Sequence, residues 1–392
     1  MKYKVFCILL PIVLAGCQQK SANTGEFIEI DISKNYLKKE IHLQSIADIE
    51  YVPLETTNDV LVGGNAKLSF VSDKYIFLWD RRGDIFVFNR SGKTISHFNR
   101  KGNGDKEYTG ISSVVFDEKN EEIFVFQDFS LSRILVYSLF GEYKRTLKIP
   151  DYISRMTAYD FDDETLLIYD ESGLNQNTYS HNPYMFMSKK DGSVVSVLNI
   201  DLPVRYSDTM FSNGSTPDGR EVIRPIRIGI PNNRHFGQDF VIADISSDTI
   251  YLLSKSKILT PLLVRKPSVH SSDPRIVWTS QLKTDRFMLL WKIILDFVEL
   301  GKNQKVSYTN LIYNLETQQT NTVSFVDDDF LSWNLIMDAT DLAAPKNMYA
   351  GLIDAGLLKN AYEDNKLSGD LKKLAQSIDS EDNQVVMIVK FK

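Results

Sequence analysis

The sequence predicts an all-β fold, a six-bladed β-propeller of four-stranded antiparallel blades with a small helical insertion near the C-terminus. The main observation is a repeat: an apolar run ending in Asp, a short turn, a second alternating run, and a glycine that opens a further strand. Two clear copies begin at KYIFLWD and at EEIFVFQD, with a period of roughly 45 to 50 residues, which is typical of propeller blades. Looser copies follow along the chain.

Composition agrees with one large folded domain. The chain has 392 residues, of which 43% are hydrophobic and 24% charged, so it can bury a sizeable core. Its formal net charge is −6, which gives no basic footprint for binding phosphate backbones. Nucleic acid is therefore not expected as a partner.

The N-terminus has the parts of an export signal. Lys2 and Lys4 form a short positive region, Val5 to Leu14 is apolar, and small residues precede Cys17. The apolar stretch is too short to span a bilayer as a stable helix, which predicts a processed signal peptide. The Leu-Ala-Gly-Cys sequence resembles the bacterial lipoprotein signal. A plain secretory peptide cleaved nearby is the alternative.

The lipoprotein resemblance implies that Cys17 is lipidated and becomes the N-terminus of a membrane-attached protein. The expected domains are a signal peptide at residues 1–16, a lipid-anchored tether at 17–26 and one propeller at 27–392. The expected location is the cell envelope, at the outer membrane, with the leaflet left open. Since Cys7 lies in the removed segment, no thiol is left for a disulfide, a metal site or a nucleophile.

Two strands are predicted before the first complete blade. Phe27 to Ile32 alternates apolar and polar residues, and Ile46 to Leu54 is a second extended run. An early strand of this kind allows a propeller to close by pairing with the last blade, which leaves no long free edge.

The blades are then predicted in chain order from strand patterns separated by Gly, Asp, Ser and Asn turns. Blade one spans Ala66 to Phe98, blade two Ser113 to Ile149, blade three Met156 to Ile200, blade four Val222 to Val264 with Val222 to Ile228 as its first strand, and blade five Arg275 to Phe325. Blade six is assembled from Ser332 to Met337, Asn347 to Ile353 and Val385 to Phe391, with an early strand completing it.

One segment has helical character. Apolar residues between about 355 and 378 are spaced to give stripes on two short helices, separated near Gly369. We expect this insertion to pack on the propeller, because such stripes usually face their own protein. A lid or a partner-binding element is the alternative.

Three features together resemble a known family. They are YVPLETT at residues 51–57, the IFLWD and ILVY strand pattern, and the loop RKGNGDKEY from Arg100 to Tyr108. These resemble the six-bladed β-propeller lipoproteins of Bacteroides and related gut bacteria, most clearly from Ile46 to Pro150. The resemblance implies a cell-envelope propeller of mostly unassigned function. Family members carry a proline before the Glu-Tyr pair, where this chain has Asp105-Lys106.

The glycine-rich loop is interpreted as structural. Gly102 and Gly104 would permit the backbone angles of a crossing between blades, and Tyr108 would plug that crossing. A phosphate-binding role is not favoured, since no helix with a P-loop Lys-Ser/Thr pair follows.

The predicted site lies on one face of the propeller, here called the connection face. Loops between blades and loops joining the second and third strands of a blade emerge on it, and the long segments 170–183, 203–221, 299–305 and 354–384 all fall there. Loops on a rigid scaffold often carry function. The candidate ligand-face residues are Arg81, Arg82, Arg100, Lys101, Asp128, Asp170 and Asp244.

No catalytic or metal motif is found in the sequence. The five histidines are far apart and show no HExxH spacing, and no GxSxG elbow occurs. The acidic clusters at 160–163 and 327–329 lack the alternation of an EF-hand loop and are interpreted as solvated turns. No cofactor is identified, although calcium stays possible because several blades can bring carboxylates together.

The leading functional hypothesis is a lipid-anchored binding or scaffolding module for a glycan, a peptide or another envelope protein. The alternative is a propeller hydrolase, lactonase or lyase that acts on glycan-derived substrates at the channel mouth. The binding hypothesis predicts aromatic and mixed-charge loops, whereas the enzyme hypothesis predicts several acids or histidines meeting at the channel.

Overall fold

The structure is a computed structural model that describes residues 28–127, 133–172, 182–200, 202, 204–206, 209–216, 218–227, 233–296, 305–330, 334–335 and 342–392. Within these residues most of the chain is β-strand, and two helices lie near the C-terminus. None of the described helices is long and apolar enough to cross a membrane.

Three strands precede the first complete blade, and five antiparallel blades follow. The early strands are β1 (Ile28–Asp31), β2 (Lys38–His42) and β3 (Ala47–Pro53). Blade one consists of β4 (Lys67–Val71), β5 (Tyr75–Trp79), β6 (Asp84–Asn89) and β7 (Thr94–Asn99). Blade two consists of β8 (Ile111–Asp117), β9 (Glu122–Gln127), β10 (Arg133–Ser138) and β11 (Tyr143–Lys148). Blade three consists of β12 (Met156–Asp160), β13 (Thr165–Asp170), β14 (Tyr184–Ser188) and β15 (Val194–Leu198).

The later blades are interrupted by insertions. A hairpin of β16 (Thr209–Ser215) and β17 (Glu221–Arg227) precedes blade four, which consists of β18 (Asn233–Phe236), β19 (Asp239–Ile242), β20 (Thr249–Leu253) and β21 (Leu259–Lys266). Blade five consists of β22 (Arg275–Lys283), β23 (Phe287–Asp296), β24 (Lys305–Asn314) and β25 (Thr320–Val326), and β26 (Asn334–Leu335) pairs with β25. Blade six contains β27 (Met348–Ile353), β28 (Val385–Phe391) and β3.

The six sheets form a six-bladed β-propeller, as the sequence predicts. In each of blades one to five, consecutive strands pair antiparallel from the first strand to the fourth. First strands of neighbouring blades contact each other, β4 with β8 and β8 with β12, which places them around the centre. The fourth strands are therefore the outer strands.

The early strand β3 closes the ring. It pairs antiparallel with β28 along its whole length, so that Val52 lies opposite Val386. Blade six thus combines the two ends of the chain, which confirms the predicted closure. The other two early strands have a different role: β1 pairs parallel with β21 of blade four, and β2 pairs parallel with β25 of blade five.

Two predicted strand assignments in the later blades are wrong. The segment predicted as the first strand of blade four belongs to β17, which among the described residues pairs with β16 alone, in a separate hairpin. The first strand of blade four is instead β18, a short segment with few apolar residues. Within the predicted strand Ser332 to Met337, the described residues 334–335 pair with blade five and not with blade six.

The core is divided among the blade interfaces. Among the described residues, each pair of neighbouring blades shares one cluster of buried apolar side chains. In β5, Phe77 packs toward blade two, whereas Ile76 and Leu78 pack toward blade six. Alternate residues of a middle strand therefore meet opposite neighbours, which explains why YIFLW is apolar throughout.

Glycines in the turns before the outer strands contact the preceding blade. Gly92, Gly141 and Gly192 have φ of 81°, 76° and 82°, which favour glycine. A Cβ atom at Gly92 would overlap the carbonyl oxygen of Pro53, and one at Gly192 would overlap that of Lys148. The repeated glycine is thus required both by its backbone angle and by the neighbouring blade.

The insertion near the C-terminus forms α1 (Ala355–Glu363) and α2 (Gly369–Ser377). Leu358 and Leu371 are buried in the cluster that joins blades five and six, together with Phe325 and Met387. The helices therefore pack on the propeller, as the leading sequence interpretation expects. Asp354 is the N-cap of α1, and its carboxylate accepts a hydrogen bond of 2.9 Å from the Leu357 amide.

Candidate functional site

Aspartates at the ends of second strands are used to hold the connection face together. Asp170 and Asp244 are buried, and each accepts a hydrogen bond of 2.8 Å from the amide two residues ahead, in Ser172 and Ser246. The Asp80 carboxylate likewise accepts hydrogen bonds from the amides of Arg82 and Asp84. These are Asx turns, in which a short acidic side chain satisfies the backbone of a tight loop. Two of the predicted ligand-face residues therefore have turn-capping roles.

Four other candidates lie together and are exposed. Arg81 and Arg82 occupy the loop between β5 and β6, and Arg100 and Lys101 follow β7. We call these four residues the basic rim. The Arg82 guanidinium forms an ion pair of 2.7 Å with Asp80. Within the described residues, the other three side chains form no ion pair.

Tyr108 fixes the two loops of the basic rim against each other. Its buried hydroxyl donates to the Gly83 carbonyl at 2.6 Å and accepts from the Arg100 amide at 2.8 Å. Burial raises the pKa of Tyr108 to about 12, so the phenol stays protonated. The predicted plugging role of this tyrosine is confirmed.

The role predicted for the loop glycines needs correction. Gly102 and Gly104 are not among the residues with positive φ in the described chain. The Glu107 carboxylate lies against both glycines, and it accepts a hydrogen bond of 2.9 Å from the Gly104 amide. A side chain at Gly102 would overlap this carboxylate. The loop is thus closed by its own glutamate.

A second polar group lies at the junction of blades three and four, and we call it the tyrosine seam. Tyr169 and Tyr184 lie opposite each other on paired strands with ring centroids 4.8 Å apart. The Tyr184 hydroxyl donates to Asp244 at 3.2 Å, and Arg205 donates to the Asp170 carbonyl at 2.7 Å. Burial, followed by the Asp244 charge, raises the pKa of both phenols well above the usual value. The seam is a rigid support beneath the connection face.

Three further residues lie next to the tyrosine seam, and none of them is among the candidate ligand-face residues predicted from the sequence. The Tyr206 hydroxyl is 2.9 Å from Nδ1 of the exposed His270, and the Arg275 guanidinium stacks 3.7 Å from the Tyr206 ring centroid. The Tyr206 amide donates to Ser246, which ties this group to blade four. His270 lies in the connection that leads from β21 to Arg275, the first residue of β22, whereas Tyr206 lies in the connection between blades three and four. No local sequence signal links Tyr206 to the other two.

The acidic clusters do not form a metal site among the described residues, where no group of three or more His, Cys, Asp or Glu side chains could hold an ion. The interpretation of 327–329 as a solvated turn is wrong for Asp327. That residue is buried, and its carboxylate accepts hydrogen bonds from Gln44 at 2.6 Å and Tyr51 at 2.9 Å. It joins blade five to the N-terminal strands. The candidates Cys17 and Asp128 lie outside the described residues.

A family model described as a domain of unknown function, DUF4934, matches residues 27–390. The chain belongs to this family. The DUF4934 match spans the whole propeller and both helices. No curated protein sequence matches the chain.

The DUF4934 chain also resembles solved structures. An exported protein of Bacteroides fragilis is 15% identical, with a TM-score of 0.62, and the match covers 93% of this chain and 99% of that one. This likeness establishes the fold alone. BamB from Moraxella catarrhalis is 11% identical, with a TM-score of 0.37, and the match covers 88% of this chain and 98% of that one. Virginiamycin B lyase from Staphylococcus aureus is 9% identical, with a TM-score of 0.38 and coverage of 87% and 99%. The last two likenesses are too loose to bear on function.

Proposed function

We propose that this DUF4934 propeller is a lipid-anchored binding module of the cell envelope, held through Cys17, whose ligand binds on the connection face at the basic rim. One observation carries the proposal. The strand-end aspartates Asp80, Asp170 and Asp244 are occupied in turns, whereas Arg81 and Lys101 are exposed and form no ion pair among the described residues. Arg100 forms none either, although its Nε donates to the Gly141 carbonyl at 2.9 Å. Cations held by a rigid scaffold suit a ligand that carries carboxylate groups.

The ligand class follows from the mixed chemistry of the rim. Asp105 and Glu107 belong to the same loop, so the surface is not uniformly positive. Such a surface fits a glycan that carries acidic and hydroxyl groups better than it fits a polyanion. A peptide or another envelope protein with exposed carboxylates is the second source of the same chemistry. The test below separates these sources.

A thermal-shift experiment on the chain beginning at Gln18 tests this proposal. That chain retains all the described residues. The probes are an acidic glycan, a neutral glycan with the same linkages, an acidic peptide and calcium. A ligand at a hundredfold over its Kd should stabilise the fold by about 2.7 kcal/mol. We expect a shift with an acidic probe but not with the neutral glycan.

The variants decide whether the basic rim is the site. The double substitution Arg81→Ala with Lys101→Ala should abolish the shift, whereas Lys190→Ala, an exposed lysine in a turn between third and fourth strands, should leave it unchanged. A shift that survives the double substitution would overturn the assignment of the rim. A calcium shift would instead point to carboxylates on the connection face.

An enzyme is the second candidate function, because a phenol and an imidazole 2.9 Å apart can exchange a proton beside a cation. Its site would be Tyr206, His270 and Arg275, and its substrates glycan-derived. Release of products from glycan probes, lost in His270→Ala and Tyr206→Phe, would support hydrolase, lactonase or lyase activity. Equal release from both variants and the parent chain would exclude this site.

A further inference from the structure

The outer edges of blades four and five are covered by a further strand, whereas those of blades one to three are not covered by any strand of the described residues. On blades four and five, β21 and β25 are covered by the parallel strands β1 and β2. On blades one to three, no strand of the described residues lies outside β7, β11 or β15. Uncovered edges expose unpaired backbone groups, and proteins usually protect them with charges, bulges or neighbouring chain.

The edges of blades one and two are protected. The Thr94 amide on β7 is bound by the Glu55 carboxylate at 2.9 Å, and the Lys148 amide on β11 by the Asp191 carbonyl at 3.3 Å. The strand β11 also carries Lys144 and Arg145, which both pair with Glu122. A further strand would have to displace these groups.

The edge of blade three has none of this protection. The strand β15 reads VVSVL and contains no charged residue, and Val195 and Val197 are 55% and 49% exposed. Among the described residues, no hydrogen bond other than those to β14 reaches Val195 to Leu198. The outer edge of blade three is therefore apolar and uncovered, whereas the equivalent edge of the neighbouring blade four is covered by β1.

We propose that β15 is a strand-addition site for an extended segment of a partner polypeptide, which pairs parallel to β15 as β1 pairs with β21. The two outer strands share their local geometry. Each has one unpaired residue where the register shifts, Val195 in β15 and Leu262 in β21, as β7 and β11 also have, and this residue aligns the outer strands of the blades. In β21 the residues that pair with β1 follow directly, from Leu263 to Lys266. The equivalent stretch in blade three is 196–199.

The chemistry of blade three indicates what the partner segment contains. In β1 the buried Ile30 fills the interface of blades four and five, and Glu29 forms an ion pair with Lys266. The position equivalent to Lys266 is Asn199. In the register of β1, Val197 takes the place of Val264, which lies opposite Glu29. The partner therefore needs an apolar residue opposite Val197, in addition to those equivalent to Ile28 and Ile30, but no acidic residue to match a lysine. Both additions within this chain are parallel, whereas a two-fold pair of β15 edges would be antiparallel, so we favour a separate polypeptide over a second copy.

Disulfide trapping tests the site and its direction. The chain beginning at Gln18 has no cysteine, so Ser196→Cys introduces a single reporter on β15. The probe is a peptide of sequence FIVINI, which is the β1 segment without its acidic residues, with one cysteine in place of its second residue (the N-terminal cysteine) or of its sixth (the C-terminal cysteine). In the register of β1, parallel pairing places the N-terminal cysteine beside residue 196, while the C-terminal one would lie about 13 Å away. We expect trapping to be about tenfold faster with the N-terminal cysteine.

Two further substitutions make the result specific. Val197→Lys places a charge on the edge and should slow trapping about tenfold, whereas Val204→Lys, at an exposed valine outside the strands, should leave it unchanged. Both side chains are exposed, so both variants should keep the melting temperature of the parent. Faster trapping of the C-terminal cysteine, or equal trapping in all variants, would overturn the proposal. So would a dimer of the chain alone that Val197→Lys dissociates, because that result assigns the edge to a second copy.

Discussion

Blades one to three and blades four and five hold their outer strands in different ways. In the first three, a glycine with positive φ precedes the outer strand and packs against the preceding blade. In the equivalent turns of blades four and five, the positive φ belongs to Lys257 and Gln318, and the outer strands are covered by β1 and β2. The comparison shows that the glycine of the sequence repeat marks the place where the turn before an outer strand packs on the preceding blade. Where that contact changes, the repeat fades and an N-terminal strand covers the edge.

The largest effect is expected at the glycine that touches the closing strand. In Gly92→Ala the new Cβ would overlap the Pro53 carbonyl at the end of β3, and the residue would keep a φ of 81°. The backbone conformation and the overlap together should lower the free energy of unfolding by about 4 kcal/mol. Chemical denaturation of the chain beginning at Gln18 measures this change.

Substitutions at two other glycines separate the cost of the backbone conformation from the cost of the overlap with Pro53. A Cβ at Gly219 would meet nothing within 4 Å, although its φ is 83°, so Gly219→Ala reports the backbone cost alone, about 1 kcal/mol. Gly64→Ala has neither cost and should change little. If Gly92→Ala were no more destabilising than Gly219→Ala, the contact between blades would not explain the repeat.

The second prediction concerns the covered edge of blade four. Ile30 on β1 is buried against Leu263 and Trp278, so Ile30→Ala should cost about 3 kcal/mol through lost burial and a cavity. Ile28→Ala, on the same strand but only partly buried, should cost less than half as much. On blade three, Val197→Ala should be close to neutral. Thermal unfolding of the three variants would contradict the comparison if Val197→Ala were as costly as Ile30→Ala.

The regular blades could be predicted from the sequence because their signals are local. The Asp that caps a turn, the turn glycine and the apolar middle strand all lie within one repeat, as in residues 75–92. The destinations of β1 and β2 could not be predicted, since a strand pattern does not specify a distant pairing partner. The first strand of blade four was missed because Asn-Arg-His-Phe lacks an apolar alternation.

The candidate site was predicted less completely, for a related reason. A sequence shows which aspartates are available but not whether their oxygens already accept hydrogen bonds, which decides the roles of Asp170 and Asp244. Arg81, Arg82, Arg100 and Lys101 could be placed together because two adjacent connections carry them. His270 and Arg275 are close in sequence, but the contact of Tyr206 with both depends on tertiary packing.

The third prediction uses a buried charge network that joins blades two and three. Lys189 forms ion pairs of 2.6 Å with both Asp117 and Asp160. Burial, partly opposed by Lys189 and assisted by Asp117, raises the pKa of Asp160 to about 6. A carboxyl whose pKa is raised by folding is protonated more readily in the folded state. Its contribution to stability is therefore lost as the pH rises from about 4 to 6.

Asp160→Asn should remove this part of the pH dependence. The stability of the parent relative to the variant should fall by about 1 to 2 kcal/mol between pH 4 and pH 6.5, because Asp160 is partly exposed and solvent weakens the effect. Urea denaturation at several pH values measures the difference. Asp163→Asn, at an exposed partner of Lys119, is the matched control and should lack this slope. Parallel stability curves for the parent and Asp160→Asn would contradict the assignment.

The smallest effects are expected where blades four and five depart from the glycine rule. Lys257 and Gln318 have φ of 62° and 54°, a region that costs a non-glycine residue about 1 kcal/mol. Gln318→Gly should therefore raise the free energy of unfolding by up to about 1 kcal/mol, less the entropy that glycine adds to the unfolded state.

Lys257→Gly should raise the free energy of unfolding by less. The Lys257 ammonium lies 4.4 Å from the Phe186 ring of blade three, and that cation–π contact, worth about 0.5 kcal/mol, would be lost. Lys257→Asn, which tolerates positive φ but also lacks the ammonium, separates the backbone from the ring contact. A loss of stability in Gln318→Gly would mean that the turn of blade five is held by its side chain, and that glycine in blades one to three is not explained by backbone conformation.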